Sequence, residues 1–138
     1  MPGIDPQGRT PLHYAALADD TAAVRMLLSD GTDPNVADRL GFTALHLAAQ
    51  QGSVSAAEAL IAAGAQVDVV NSYGNTPLFT AVFNSRGRGG FIKLLRHHGA
   101  DPWHPNDTGQ TPIGLARLIA NYDVVQFFAD LTDPSPKT

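Results

Sequence analysis

The sequence predicts an all-α-type repeat solenoid of four units, each a helix–turn–helix followed by a hairpin finger, with the last unit truncated. Two observations carry this. An acidic or amide residue is followed three positions later by glycine, then two further on by threonine, at Asp5, Asp38, Asn71 and Asn106. These starts are 33, 33 and 35 residues apart. After each block, apolar residues recur at helical spacing in two successive stretches. A fixed period of this length marks supersecondary units that bury their apolar faces only by stacking on neighbours. The 138 residues fit one domain. It is expected over 1–131, with repeats at about 5–37, 38–70, 71–105 and 106–131 and a disordered tail over 132–138.

The first helix of each unit starts at Thr10, Thr43, Thr76 or Thr111, whose hydroxyl can accept a first-turn backbone N–H. Pro11, Pro77 and Pro112 follow at the one helical position where a missing N–H is harmless. Leu12, Leu45, Leu78 and Ile113 then point inward. The small pairs Ala15-Ala16 and Ala48-Ala49 let adjacent helices approach to about 8 Å. Arg117 is expected to face solvent at the free end of the stack. Second helices are read at 22–28, 55–61, 91–95 and 123–128, the last closing the core with Phe127-Phe128. Gly31, Gly64 and Gly99 end the first three in the left-handed conformation that caps a helix. Extended fingers are expected over 32–42, 65–75 and 100–110.

The blocks Thr10-Pro11-Leu12-His13 and Thr43-Ala44-Leu45-His46, at this period, resemble the ankyrin repeat family. The resemblance runs from about Gly3 to Leu131. It implies that His13 and His46 hydrogen-bond backbone groups of the hairpins and tie successive repeats together. Repeat three departs from the pattern with Phe79 in the histidine position and a two-residue insertion. Repeat four has Gly114 there and no following finger. The chain also resembles small, free-standing bacterial ankyrin proteins encoded beside toxins, which act as immunity proteins.

Composition limits the function classes. With no cysteine, disulfides and thiolate chemistry are excluded. No stretch approaches the roughly 20 apolar residues of a membrane span. No secretory signal is visible at Met1-Pro2-Gly3-Ile4-Asp5, so a cytoplasmic monomer is expected. Net charge is −4, unevenly spread. Residues 1–68 carry eight acids against three arginines, −5, and residues 69–138 carry +1. That argues against nucleic acid, whose phosphates call for Lys and Arg, and suits a basic protein partner such as a toxin or nuclease domain.

No nucleophile–base pair or metal-ligand spacing is found, so no enzyme activity, cofactor or metal is expected. His97, His98, Asp101 and His104 match no zinc motif. Trp103 beside them is read either as a binding anchor or as packed under the next finger. The insertion Ser85-Arg86-Gly87-Arg88-Gly89-Gly90 is read as a flexible surface loop away from the main groove. Its functional readings are a basic contact to an acidic patch and, more weakly, contact to nucleic acid.

In the ankyrin family the finger tips and the outer face of each first helix determine the partner. Mapped here, the partner-binding candidates are Arg39, Leu40, Phe42, Gln50, Gln51, Tyr73, Asn75, Phe83, Asn84, Asp107 and Gln110. Leu40, Phe42, Tyr73 and Phe83 are read as apolar groups on exposed positions with a polar rim, as interfaces often are. The expected function is a non-catalytic protein-binding module, either an immunity protein that blocks a toxin or a general scaffold or regulatory inhibitor.

Overall fold

A computed structural model describes residues 6–131; the tail expected over 132–138 lies outside them. Among the described residues six of seven α-helices run in three pairs, α1 Pro11–Leu17 with α2 Thr21–Ser29, α3 Ala44–Gln51 with α4 Val54–Ala62 and α5 Pro77–Phe83 with α6 Gly90–His97, and α7 Pro112–Leu118 follows. The element expected to complete the fourth pair is a 3-10 turn, Val124–Phe128, rather than an α-helix. Its N-cap residue, Asp123, makes no side-chain capping bond, and five residues give too few α-helical bonds to offset nucleation. Phe128 still closes the end of the core, 1% exposed.

The helices form two layers. α1, α3, α5 and α7 stack in sequence, as do α2, α4 and α6, and each first helix packs on its own second helix. Ala16, Ala48, Ala49 and Ala81 are fully or nearly fully buried between them. Leu12, Leu45, Leu78 and Ile113 form the interior of one linear core.

All four threonines cap as expected. Each hydroxyl oxygen accepts the N–H three residues on, from His13, His46, Phe79 and Gly114. In the first two repeats the imidazole also reaches back. His13 Nδ1 accepts the Thr10 N–H at 3.0 Å and His46 Nδ1 that of Thr43 at 3.2 Å. With Nδ1 accepting, Nε2 carries the proton and donates to the next finger. His13 bonds Phe42 O and His46 bonds Asn75 O, both at 2.9 Å. The tie implied by the family resemblance is therefore present at two junctions. At the third, Phe79 offers only packing.

The fingers are tighter than the extended hairpins expected, and no strand occurs among the described residues. Asp38, Asn71 and Asn106 each accept, through Oδ1, the N–H groups two and four residues ahead. Each tip is closed by two backbone bonds, such as Asp38 N–H to Phe42 O at 2.9 Å and Gly41 N–H to Asp38 O at 3.0 Å. Neighbouring tips are joined by a single backbone bond each: Arg39 N–H to Gln7 O, Ser72 N–H to Leu40 O, and Asp107 N–H to Tyr73 O. One backbone bond per junction aligns the fingers without building a ladder.

Behind the tips, Asn35 Oδ1 accepts Gln66 N–H and Asp68 accepts Asp101 N–H. Trp103 takes this position in the third finger and packs half-buried against the core under the Arg117 guanidinium. Arg117 is exposed, as expected.

The turn glycines make the close approach possible. Gly74 has φ +77°, and a Cβ there would lie 2.7 Å from the Asp107 backbone nitrogen and 2.5 Å from its Oδ1. Gly109 has φ +84° with open space around it. Gly109→Ala should therefore cost only the left-handed strain, about 1–2 kcal/mol. Gly74→Ala should cost clearly more, because it also parts the fingers of repeats three and four. Chemical unfolding of the two variants measures the difference, and equal losses would refute the steric account.

The insertion between α5 and α6 is held rather than free. Arg88 N–H donates to Ser85 O at 2.9 Å. Added side-chain carbons would strike the Tyr122 ring at Gly87 and the Phe127 ring at Gly89. The reading as a flexible loop is corrected for this reason: the terminal segment lies across it. Arg96 secures that segment through Phe127 O and a two-pronged bond to Asp130 at 2.7 and 2.8 Å. These bonds hold the Asp130 carboxyl below its ordinary range.

Candidate functional site

The middle two repeats form a cleft of about 410 Å³ between the fingers and the first-helix layer. Its position follows from local chemistry. Finger chemistry at Asn71 fixes Tyr73 and Asn75, and the Thr43 and Thr76 caps fix where α3 and α5 begin. Phe42, Tyr73 and Phe83 supply aromatic surface, and Gln50, Asn75 and Asn84 supply amides. Tyr73 is 53% exposed and Phe83 69%. Phe42 is partly buried, which corrects its reading as an exposed residue. It is pinned edge-on between the His46 ring at 5.6 Å and the Tyr73 ring at 6.5 Å, a favoured aromatic arrangement.

Six of the eleven candidates thus converge in this cleft: Phe42, Gln50, Tyr73, Asn75, Phe83 and Asn84. Gln51 joins Gln50 and Asn84 in a second, polar cleft with Arg86 and Arg88. The insertion's arginines therefore adjoin the groove, against the expectation that they lie away from it. The two additional residues carry the α5–α6 turn back toward the end of α3. Arg39, Leu40, Asp107 and Gln110 lie outside the aromatic cleft, on the finger tips. Leu40 is 50% exposed there.

Asn71, Phe79 and Thr80 also line the cleft, and the sequence reading missed them. Asn71 is buried, yet its Nδ2 has no hydrogen-bond partner. The flanking junctions explain why. At the first, Arg9 Nε donates to Asp38 Oδ2 at 3.3 Å. At the third, Asn106 Nδ2 donates to Asn75 Oδ1 at 2.8 Å. In both, the residue after the turn glycine of the preceding finger supplies the partner. At the middle junction that residue is Phe42, which cannot. The sequence signal was available: Arg9, Phe42, Asn75 and Gln110 share one position, and Phe42 is the apolar one.

His46, beside this cleft, is fully buried. Burial pushes its pKa down from 6.5 to about 4, against the opposing effects of the Asn75 carbonyl and the Asp38 charge. Among the described residues no cluster of three or more histidine, aspartate or glutamate side chains is arranged to hold a metal ion. His97 and His98 meet edge-on at 5.2 Å. No helix among those residues is long and apolar enough to cross a membrane.

Stacked helix pairs with finger tips joined side by side define a helical repeat module that presents one continuous face. The family pattern described as "Ankyrin repeats (3 copies)" matches residues 31–106, and "Ankyrin repeat" matches residues 7–39. The chain belongs to the ankyrin repeat family, whose repeats serve as protein-interaction modules and are generally non-catalytic. It is also similar to the Ankyrin repeat and LEM domain-containing protein 1 homolog of Caenorhabditis elegans, 53% identical over 38 residues. That match covers 28% of this chain and 5% of the relative, a stretch only slightly longer than one repeat.

Proposed function

We propose that this protein binds a protein partner through the aromatic cleft of repeats two and three and performs no catalysis of its own. The observation that supports it most is exposed aromatic surface converging around a buried, unpartnered donor. Tyr73 and Phe83 have the character of anchors. Aromatic residues surrounded by polar groups that exclude water dominate many interfaces. The cleft is lined by amides, aromatic rings, a phenol and a hydroxyl, groups suited to packing on and hydrogen bonding with a polypeptide.

Within that function we propose an inhibitory role, of the kind an immunity protein plays toward a bacterial toxin. Its support is the −5 charge of residues 1–68 and the exposure of Asp19, Asp20, Asp30 and Asp33, which would steer a basic partner. A scaffold or regulator of a non-toxin protein uses the same cleft without that acidic half.

Affinity capture of the tagged chain, followed by titration of the recovered partner, tests both readings. Tyr73→Ala and Phe83→Ala should each weaken binding by about 1–2 kcal/mol or more while leaving the melting temperature nearly unchanged. Unaltered affinity in both variants would remove the cleft from the interface. A partner whose toxicity is neutralised by this protein would support the inhibitory role, and a harmless partner would oppose it.

A further inference from the structure

We propose that the cleft built by the α5–α6 insertion binds an oxyanion on the partner polypeptide, a carboxylate or a phosphoryl group, beside an apolar side chain held in the aromatic cleft. This rests on the protein-binding function proposed above. The polar cleft holds about 260 Å³ and is lined by Gln50, Gln51, Asn84, Arg86 and Arg88. It shares Gln50 and Asn84 with the aromatic cleft, so the two are continuous. One extended segment carrying an apolar residue and an acidic residue would fill both.

Its chemistry is one-sided. Two guanidinium groups and three amides face the space, and among the described residues no carboxylate lines it. Arg9 and Arg96 have acidic partners, whereas neither Arg86 nor Arg88 pairs with a carboxylate among the described residues. Guanidinium groups matched to an oxyanion form charge-assisted, often two-pronged hydrogen bonds, stronger than neutral ones.

The cleft is also preorganised. Arg88 Nε donates to Ser85 O at 3.2 Å, which fixes the side chain while leaving its terminal N–H groups available. Arg86 occupies left-handed backbone at φ +51°, a conformation uncommon for a residue with a side chain. The neighbouring glycines, covered by Tyr122 and Phe127, hold that turn in place. In the adjoining pocket, which Arg88 and Asn84 also line, Ser85 Oγ is buried without a partner. In the turn after the first helix, repeat one carries Asp19 and Asp20, repeat two Gly52 and Ser53, and repeat three Arg86 and Arg88. An acidic group is therefore drawn to the turn of repeat three and away from that of repeat one.

The test is heteronuclear NMR of the full chain, following the arginine Nε–H and the amide side chains. The probes are acetyl-Phe-Gly-Glu-amide, the same peptide with glutamine or phosphoserine for glutamate, and an oligouridylate. The glutamate or phosphoserine peptide should shift Arg86, Arg88, Gln50 and Gln51, and bind roughly ten-fold more tightly than the glutamine peptide. Preference between those two tells carboxylate from phosphoryl. Arg86→Gln/Arg88→Gln should abolish the difference with an unchanged melting curve, and Arg86→Lys/Arg88→Lys should restore part of it. Equal affinity for the glutamate, phosphoserine and glutamine peptides would overturn the proposal, as would stronger binding of the oligouridylate at the same arginines. Shifts at Tyr73 and Phe83 without shifts at the arginines would retain the aromatic cleft and reject the oxyanion site. Silence at both with every probe would count against both.

Discussion

Leu45→Ala will lower the unfolding free energy by about 2–5 kcal/mol, and the loss will fall toward the upper end. Leu45 is 0% exposed, and α3 packs on both α1 and α5. The cost of such a truncation depends on how far the surroundings can collapse into the space left. Here the neighbouring core includes Ala15, Ala16, Ala48, Ala49 and Ala81, whose methyl groups have no rotamers with which to fill it. Because stability in a stacked array is roughly a sum of repeat and interface terms, a cavity in α3 weakens two interfaces together. Urea unfolding of Leu45→Ala beside Tyr73→Ala and Phe83→Ala checks this. A similar loss in all three would refute the separation of an interior that folds the chain from a surface free to bind.

That separation was largely legible in the sequence, because the interior repeats. Capping threonines, inward leucines and closing glycines recur at one period, and each repeat is evidence for the others. What the sequence reading missed lies where the period breaks. The insertion is not legible as a packed turn because its packing depends on Tyr122 and Phe127, more than thirty residues away. The last helix was overestimated because the spacing of Val124, Val125, Phe127 and Phe128 does not distinguish an α-helix from a 3-10 turn. Asn71 was passed over because its counterparts Asp38 and Asn106 are ordinary turn residues. It becomes distinctive only when the residue across the junction, Phe42, fails to satisfy it. Six candidate residues converged because finger and first-helix positions are set by the repeat. Arg39, Leu40, Asp107 and Gln110 diverge because a finger tip points beyond the groove that its base lines, and Gln51, at the end of α3, faces the neighbouring polar cleft.

The second large effect is expected in acid, and His46 carries it. In the folded chain its Nδ1 accepts the Thr43 N–H and its Nε2–H is held by Asn75 O, so the neutral ring joins two repeats. Protonation would place a second N–H against the Thr43 donor and a charge in a site closed to water. The folded pKa is accordingly about 4, against 6.5 for the free side chain. Between those values the unfolded chain binds a proton that the folded chain refuses, so stability rises with pH across this window. The contribution is complete above about pH 6.5 and is lost as pH falls toward 4, where it levels off. A shift of this size corresponds to about 3 kcal/mol. Urea unfolding between about pH 7 and pH 4 should show it. His46→Phe, which copies the natural Phe79, should be less stable at neutral pH and show a flatter dependence. Subtracting the two profiles removes the carboxylates and other histidines common to both. If His46 instead titrates near its ordinary value by NMR, or the two profiles stay parallel, the imidazole tie does not set the acid limit of this fold.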